Sequence, residues 1–251
     1  MAAIGAPIIG PFILSGHLLL EFCTVWYKYN DSDQPSRIFY YMVQKKSDTP
    51  RRGRPRAYDP EAALRQAMET FWVKGYANTS LDDIAAATGM NKPSLYAAFG
   101  DKHALYLAAL AQYWQLAFAD LRQSLAEDRP LAEALMRVYD GALGIYFGGE
   151  GREGEGKARG CFVVGTAVPE AVEDDDIRDG LMAGFRTFDR DLEARFKAAR
   201  ARGELKADAD PAALAMLATA TMHTIAVRAR AGAPRAELRE LARKAVQAMC
   251  R

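Results

Sequence analysis

The chain has 251 residues, half of them hydrophobic, and a formal net charge of +1. That length supports a well-formed core in one or two domains, and the near-neutral balance excludes a general polyanion binder, so any nucleic-acid site must be a local patch. Three cysteines and three histidines at wide spacings offer neither a disulfide framework nor a metal-ligand pattern, and a reducing cytoplasm is the expected setting. Abundant alanine and few β-branched runs predict an all-α fold.

Residues 1–41 do not read like the rest. Ile8 to Tyr27 is largely apolar, but Pro11, Gly16, His17 and Glu21 interrupt it. A spanning helix needs about 20 apolar residues with few charges. A signal peptide needs a basic start and a small-residue cleavage site, and neither is legible here. Met42 opens MVQKKSDTPRRGRPRAYDP, and 210 residues run from there to Arg251. Residues 1–41 are therefore read as an atypical extension or the product of a misassigned start, and no stable membrane partner is expected. Residues 42–57 form a basic arm, with Lys45, Lys46, Arg51, Arg52, Arg54 and Arg56 against Asp48. Pro50, Gly53 and Pro55 prevent a helix there. Such an arm can enter a minor groove, so Arg52, Arg54 and Arg56 are candidate DNA contacts, acting mainly by phosphate neutralisation.

Residues 58–104 read as a three-helix head. Asp59 and Pro60 suit a helix start, and Ala63, Leu64, Ala67, Met68 and Phe71 make one apolar stripe that ends at Gly75-Tyr76. Ser80 with Asp83 forms a capping box before Leu81, Ile84, Ala85 and Thr88, and Gly89 suits the left-handed end of that helix. Asn91 caps a second short helix, with Pro93 in its first turn, and Leu95 and Phe99 point back at the first. Two short helices about a tight turn make a helix-turn-helix. The outward face of the second carries Lys92, Ser94, Tyr96 and Ala97, which can meet phosphates and base edges in a major groove.

The stretch from Asp59 to about Leu110 resembles the TetR family of one-component transcription regulators. Ala67, Phe71, Gly75-Tyr76, Thr79-Ser80, Ile84-Ala85, Gly89, Leu95-Tyr96, Phe99, Asp101-Lys102 and Ala104-Leu105 carry the resemblance. Residue by residue, it implies a phosphate site at Thr79 and Ser80, a recognition helix with Asn91, Lys92, Pro93, Ser94, Tyr96 and Ala97, and a further phosphate contact at Lys102. Tyr96 matches a tyrosine that commonly reaches the DNA backbone in the family. Ala97 and Ala98 depart from the larger residues of many relatives, so only apolar contact, for instance to a thymine methyl, is available there.

Residues 105–251 read as a larger helical domain, which the resemblance makes the ligand-binding and dimerisation domain. Asp101 caps a long helix to about Leu125, and Leu131 to Phe147 forms the next. Gly148 to Gly160, with six glycines in thirteen residues, is a loop without the pattern of a phosphate loop. Cys161 to Val168 fits a strand or a buried helix by pattern, and the resemblance favours the helix. An acidic start at Glu173 to Asp176 opens a helix closed at Gly203. Asp210-Pro211 starts a helix to about Ala231, apolar all round and expected to be buried, and Pro234 opens the last helix. Phe118, Tyr139, Phe162, Met182, Phe185 and Met222, with His223 or Thr166 as polar handles, are the candidate effector pocket.

The implied function is sequence-specific transcription regulation in the cytoplasm, on the nucleoid. A homodimer, paired through the last two helices, would bind an inverted-repeat operator in double-stranded DNA and be released by a small-molecule effector. An activator or an effector-independent DNA binder is the alternative. No G-x-S-x-G, H-E-x-x-H or paired Cys/His cluster marks an enzyme, and no metal or cofactor is expected.

Overall fold

The computed structural model describes residues 59–126, 129–148 and 158–250. The N-terminal extension, the arm with Arg52, Arg54 and Arg56, and most of the glycine-rich stretch lie outside the described residues. Among those described, the regular structure is helical throughout. The head holds α1 (Pro60–Lys74), α2 (Leu81–Thr88) and α3 (Lys92–Phe99), and leads into α4 (Lys102–Ala126). The body adds α5 (Leu131–Tyr146), a π-helical turn (Val163–Ala167) that runs into the short α6 (Val168–Glu170), then α7 (Asp175–Ala201), α8 (Pro211–Arg230) and α9 (Arg235–Met249).

Local chemistry sets the head's helix boundaries. Asp59 accepts the Glu61 N–H at 2.9 Å, and Pro60 needs no partner for a missing N–H. Ser80 Oγ accepts the Asp83 N–H at 3.1 Å while Asp83 Oδ2 accepts the Ser80 N–H at 2.8 Å, so two otherwise orphaned donors are satisfied reciprocally. Gly89 ends α2 at φ 65°, where an L side chain is strained. Asn91 accepts the Ser94 N–H at 2.9 Å and starts α3, and Asp101 accepts the Ala104 N–H at 2.8 Å and starts α4.

Lys74 of α1, 2.5 Å away, and the donors of Ser80 hold the Asp83 carboxyl well below the usual carboxylate range. A depressed folded value means that the contribution is present above the ordinary carboxylate range and is lost as pH falls through the folded value. Ser80→Ala should cost about 1 kcal/mol, lowering Tm by about 2–4 °C for a chain of this size. A thermal unfolding scan of the variant that overlays the parent would contradict this account of the cap.

Two buried clusters fill the molecule. The first gathers α4, α5, α7, α8 and α9 around residues such as Leu121, Leu135, Tyr139, Phe196 and Ile225. The second is the core of the head, but it does not stop at residue 104. It joins Phe71, Trp72, Ile84 and Leu95 to Tyr106 and Tyr113 of α4, to Phe162, Val163 and Ala167 of the π-helical turn, and to Ile177 and Leu181 of α7.

One expectation is refined here and another corrected. The Cys161 to Val168 run is helical and largely buried, but wound as π over Val163–Ala167, with the Val168 N–H reaching Val163 O. Pro169 follows directly and has no N–H to return to Gly165, and β-branched Val163, Val164, Thr166 and Val168 crowd the turn. Nor is α8 wrapped on all sides: Met216, Leu217 and Val227 are 62%, 56% and 54% exposed. Its inner face packs on α5, α7 and α9, and its outer face meets nothing within the described residues.

Candidate functional site

The caps at Asn91 and Asp101 present α3 with one face down and one face out. Leu95, 1% exposed, anchors it in the head core, while Lys92, Pro93, Tyr96 and Ala97 face solvent and Ser94 is half-buried. Tyr96 is an exposed phenol with no counterpart in the core. Lys92 Nζ sits 2.8 Å from Asp82 of α2, and this contact, led by its hydrogen bond, raises the Lys92 pKa and keeps the ammonium charged. Lys102 lies over the Tyr76 ring, 4.4 Å from its centroid, which fixes a positive charge at the start of α4.

Two of the residues read from sequence as phosphate contacts are committed elsewhere. Thr79 is 2% exposed, and its hydroxyl donates to Gly75 O at 2.6 Å. Ser80 spends its hydroxyl and its N–H on Asp83. In the free chain these bonds tie both hydroxyls to the start of α2. Of the backbone donors at this helix start, the Ser80 and Asp83 N–H groups are used internally.

A cavity of about 50 Å³ lies inside the body. Tyr113, Trp114, Ala117, Asp120 and Leu121 of α4 line one side, and Val138, Ala142, Ile145 and Tyr146 of α5 another. Cys161, Val163 and Val164, Phe185 and Phe188 of α7, and Thr219, Met222 and His223 of α8 close it. Of the pocket residues read from sequence, the structure brings Phe185, Met222 and His223 together on this wall. The other five stand elsewhere. Phe118 stacks on Trp114 behind the wall, and Tyr139 donates to Ala218 O at 3.0 Å in the deep core. Phe162 is enclosed by the head's aromatic rings, Thr166 donates to Phe162 O at 2.8 Å while bonding Tyr106, and Met182 is 45% exposed.

The electrostatics of the wall are simple. Among the described residues no lysine or arginine lines it. Burial lowers the His223 pKa, opposed by nearby Asp189, and the imidazole packs 4.8 Å from the Phe185 ring. Burial pushes the Cys161 thiol up, and Tyr113 OH lies 3.2 Å from its sulfur, so this cysteine has the environment of an inert thiol and not that of a nucleophile. Sequence reasoning missed Asp120. Its signal was an acid falling beside the Trp114, Ala117 and Leu121 stripe of α4. His103, Asp174 and Asp176 are the described residues close enough to share a cation, but Asp174 already caps α7 through the Ile177 N–H and pairs with His103 Nε2 at 2.9 Å.

Head and cavity are joined by residues 159–163. Trp72 Nε1 of α1 donates to Gly160 O at 3.2 Å, the Arg159 guanidinium stacks 4.7 Å from the Trp72 ring, and Arg159 pairs with Glu69. Gly160 has φ +67°, and a Cβ there would stand 2.6 Å from Ala226 O of α8, so only glycine lets the chain pass so close. The next residue, Cys161, lines the cavity; Phe162 then packs its ring against Trp72, Tyr106 and Tyr113 at 5.7, 5.9 and 5.4 Å.

Similarity to known proteins follows both parts. Residues 63–109 match the family of bacterial regulatory proteins of the tetR type, and residues 150–246 match the tetracyclin repressor-like C-terminal domain. The HTH-type transcriptional repressor ComR of Escherichia coli is 30% identical over 191 residues, covering 76% of this chain and 89% of its own. The transcriptional regulator AcuR of Cereibacter sphaeroides is 35% identical over 173 residues, covering 66% and 76%. A cysteine variant of the regulator CifR, solved with 26-base-pair double-strand operator DNA, aligns with a TM-score of 0.69 at 32% identity over 78% of this chain and 99% of that one. With a helix-turn-helix head in front and a helical body behind, both matched, the chain belongs to the TetR family of DNA-binding transcriptional regulators.

Proposed function

We propose that the chain acts as a homodimeric repressor in the cytoplasm, on the nucleoid, whose heads read an inverted-repeat operator and leave it when a small molecule enters the α4–α8 cavity. The outward face of α3 carries the reading. Lys92, Ser94 and Tyr96 stand there with Asn91 and Pro93 at the helix start, and Ala97 offers a methyl contact. Lys102 adds a phosphate contact, and Arg52, Arg54 and Arg56 of the arm add charge along the adjacent minor groove. The exposed apolar stripe of α8, with Met216, Leu217 and Val227, pairs with its twin beside α9. Two-fold symmetry then sets the recognition helices about one DNA turn apart, roughly 34 Å or a multiple of it.

The cavity supplies the switch. At about 50 Å³ it has room for only a few waters. An effector must spread its walls, and it therefore favours a body conformation other than the closed one. Residues 159–163 carry that spread to α1 through Trp72 and Phe162. Trp72→Phe leaves the buried Gly160 carbonyl without its donor, and should cost about 1–3 kcal/mol of stability and weaken operator binding. Thermal unfolding together with fluorescence anisotropy on operator DNA checks both; an unchanged Tm would remove Trp72 from the coupling route.

The experiment for the proposal is selection of genomic fragments by the purified full chain at two salt concentrations. One or a few recovered inverted repeats support it. Binding that is blind to sequence and erased by salt would mean that α3 does not read bases.

A further inference from the structure

We propose that the effector is a small organic cation, its apolar body among the cavity's aromatic rings and its ammonium group against the Asp120 carboxylate. This rests on the effector-cavity reading above and adds the chemical class of the ligand. Among the described residues Asp120 is the only acid lining the cavity, and it has neither a hydrogen bond nor an ion pair there. Its Oδ2 occupies the space a side chain at position 141 would need, 2.6 Å from where a Cβ on Gly141 would stand. The half-buried carboxylate is thus packed against the bare backbone of α5, with no protein donor from the described residues.

The surroundings favour positive charge. Trp114, Tyr146, Phe185 and Phe188 present ring systems to the same space, and aromatic faces attract cations. Trp114 and Phe118 stack at 5.2 Å, and Gly184 of α7 leaves the gap the Trp114 indole fills, since a Cβ there would lie 2.2 Å from the ring. A second acid stands behind the wall. Thr219, a lining residue, donates to Asp189 at 2.7 Å, and Asp189 also acts on His223. Burial pushes the Asp120 carboxyl up from its ordinary value, the mark of a charge whose lost hydration has not been replaced. Among the described lining residues an anionic effector would meet the Asp120 carboxylate and no lysine or arginine to balance it, with burial disfavouring the charged form of His223, while a neutral effector would leave Asp120 without a partner.

The test uses three probes of one shape, phenethylamine, phenethyl alcohol and phenylacetate, titrated calorimetrically into the full chain and then added to its complex with operator DNA. The expected result is that the amine binds about tenfold or more tightly than the alcohol, with phenylacetate weakest. In Asp120→Asn that preference should collapse while the alcohol's affinity is kept, and Asp120→Glu should restore it. Equal affinity for amine and alcohol, retention of the preference in Asp120→Asn, or failure of the amine to bind would each overturn the cation assignment. Amine binding that obeys the Asp120 pattern but never releases the operator would uphold the assignment and break the effector reading beneath it.

Discussion

Replacing Phe162 with alanine should destabilise the chain by about 3–5 kcal/mol, the usual cost of emptying a buried aromatic site. The ring is fully buried and meets three others, Trp72 of the head and Tyr106 and Tyr113 of α4. The neighbours are themselves large and packed on one another, with Phe71 and Tyr106 edge-on at 5.1 Å, so the site has little freedom to collapse. A loss of that size corresponds to a fall in Tm of about 10 °C. Phe162→Leu keeps most of the volume and should lose far less. Because the same ring ties the π-helical turn to the head, operator affinity of the alanine variant should fall as well, measured below its transition temperature. A Tm within about 2 °C of the parent would mean that head and body do not share a core.

The second large effect is on DNA and leaves stability alone. Tyr96 is 51% exposed and supports no core contact, so Tyr96→Ala should hold the unfolding free energy to within about 0.5 kcal/mol. On the operator it should lose about 1–3 kcal/mol, roughly 5- to 150-fold in affinity. Lys92→Ala should behave differently. It removes a charge that the free chain pairs with Asp82 at 2.8 Å. Binding should weaken across sequences alike, and the salt slope should fall by about one if Lys92 neutralises a phosphate. Anisotropy titrations at several salt concentrations separate the two. A Tyr96→Ala protein that binds operator as tightly as the parent would take this residue out of the interface.

The contrast between the two substitutions reflects how the head is built. Its helices are short, and α2 and α3 have eight residues each, below the length at which an isolated helix is stable. Caps at Ser80 and Asn91 define their ends, while Ile84 and Leu95 fasten them to α1 and α4. Apart from Lys92, which pairs with Asp82, what remains exposed on α3 makes no contact with the core and is free for recognition. Thr79 and Ser80 mark the boundary of that freedom, because their polar atoms are already used to hold the turn in place.

Local chemistry was legible in the sequence. Ser80 with Asp83, Asn91 with Pro93, Asp101, and Asp210 with Pro211 are capping signals whose partners lie within three residues, so periodicity and caps placed every long helix to within a residue or two. The resemblance of Asp59 to Leu110 pointed to DNA for the same reason: the helix-turn-helix is a local motif. What spans the chain was not legible. Phe118 and Tyr139 share the apolar character of Phe185 and Met222, yet only the crossing of α4, α5, α7 and α8 decides which of them face the cavity. The exposed stripe of α8 looks in sequence like the buried one, since composition reports how apolar a helix is and not which neighbours it has. Asp120 became notable only when Gly141 and the aromatic wall stood beside it, and Phe162 only when its ring was found among those of the head. Capping and periodicity act over one or two turns and are written in order along the chain. The cavity, its charge and its tie to the head depend on residues as far apart as Trp72 and Gly160, and only their packing brings them together.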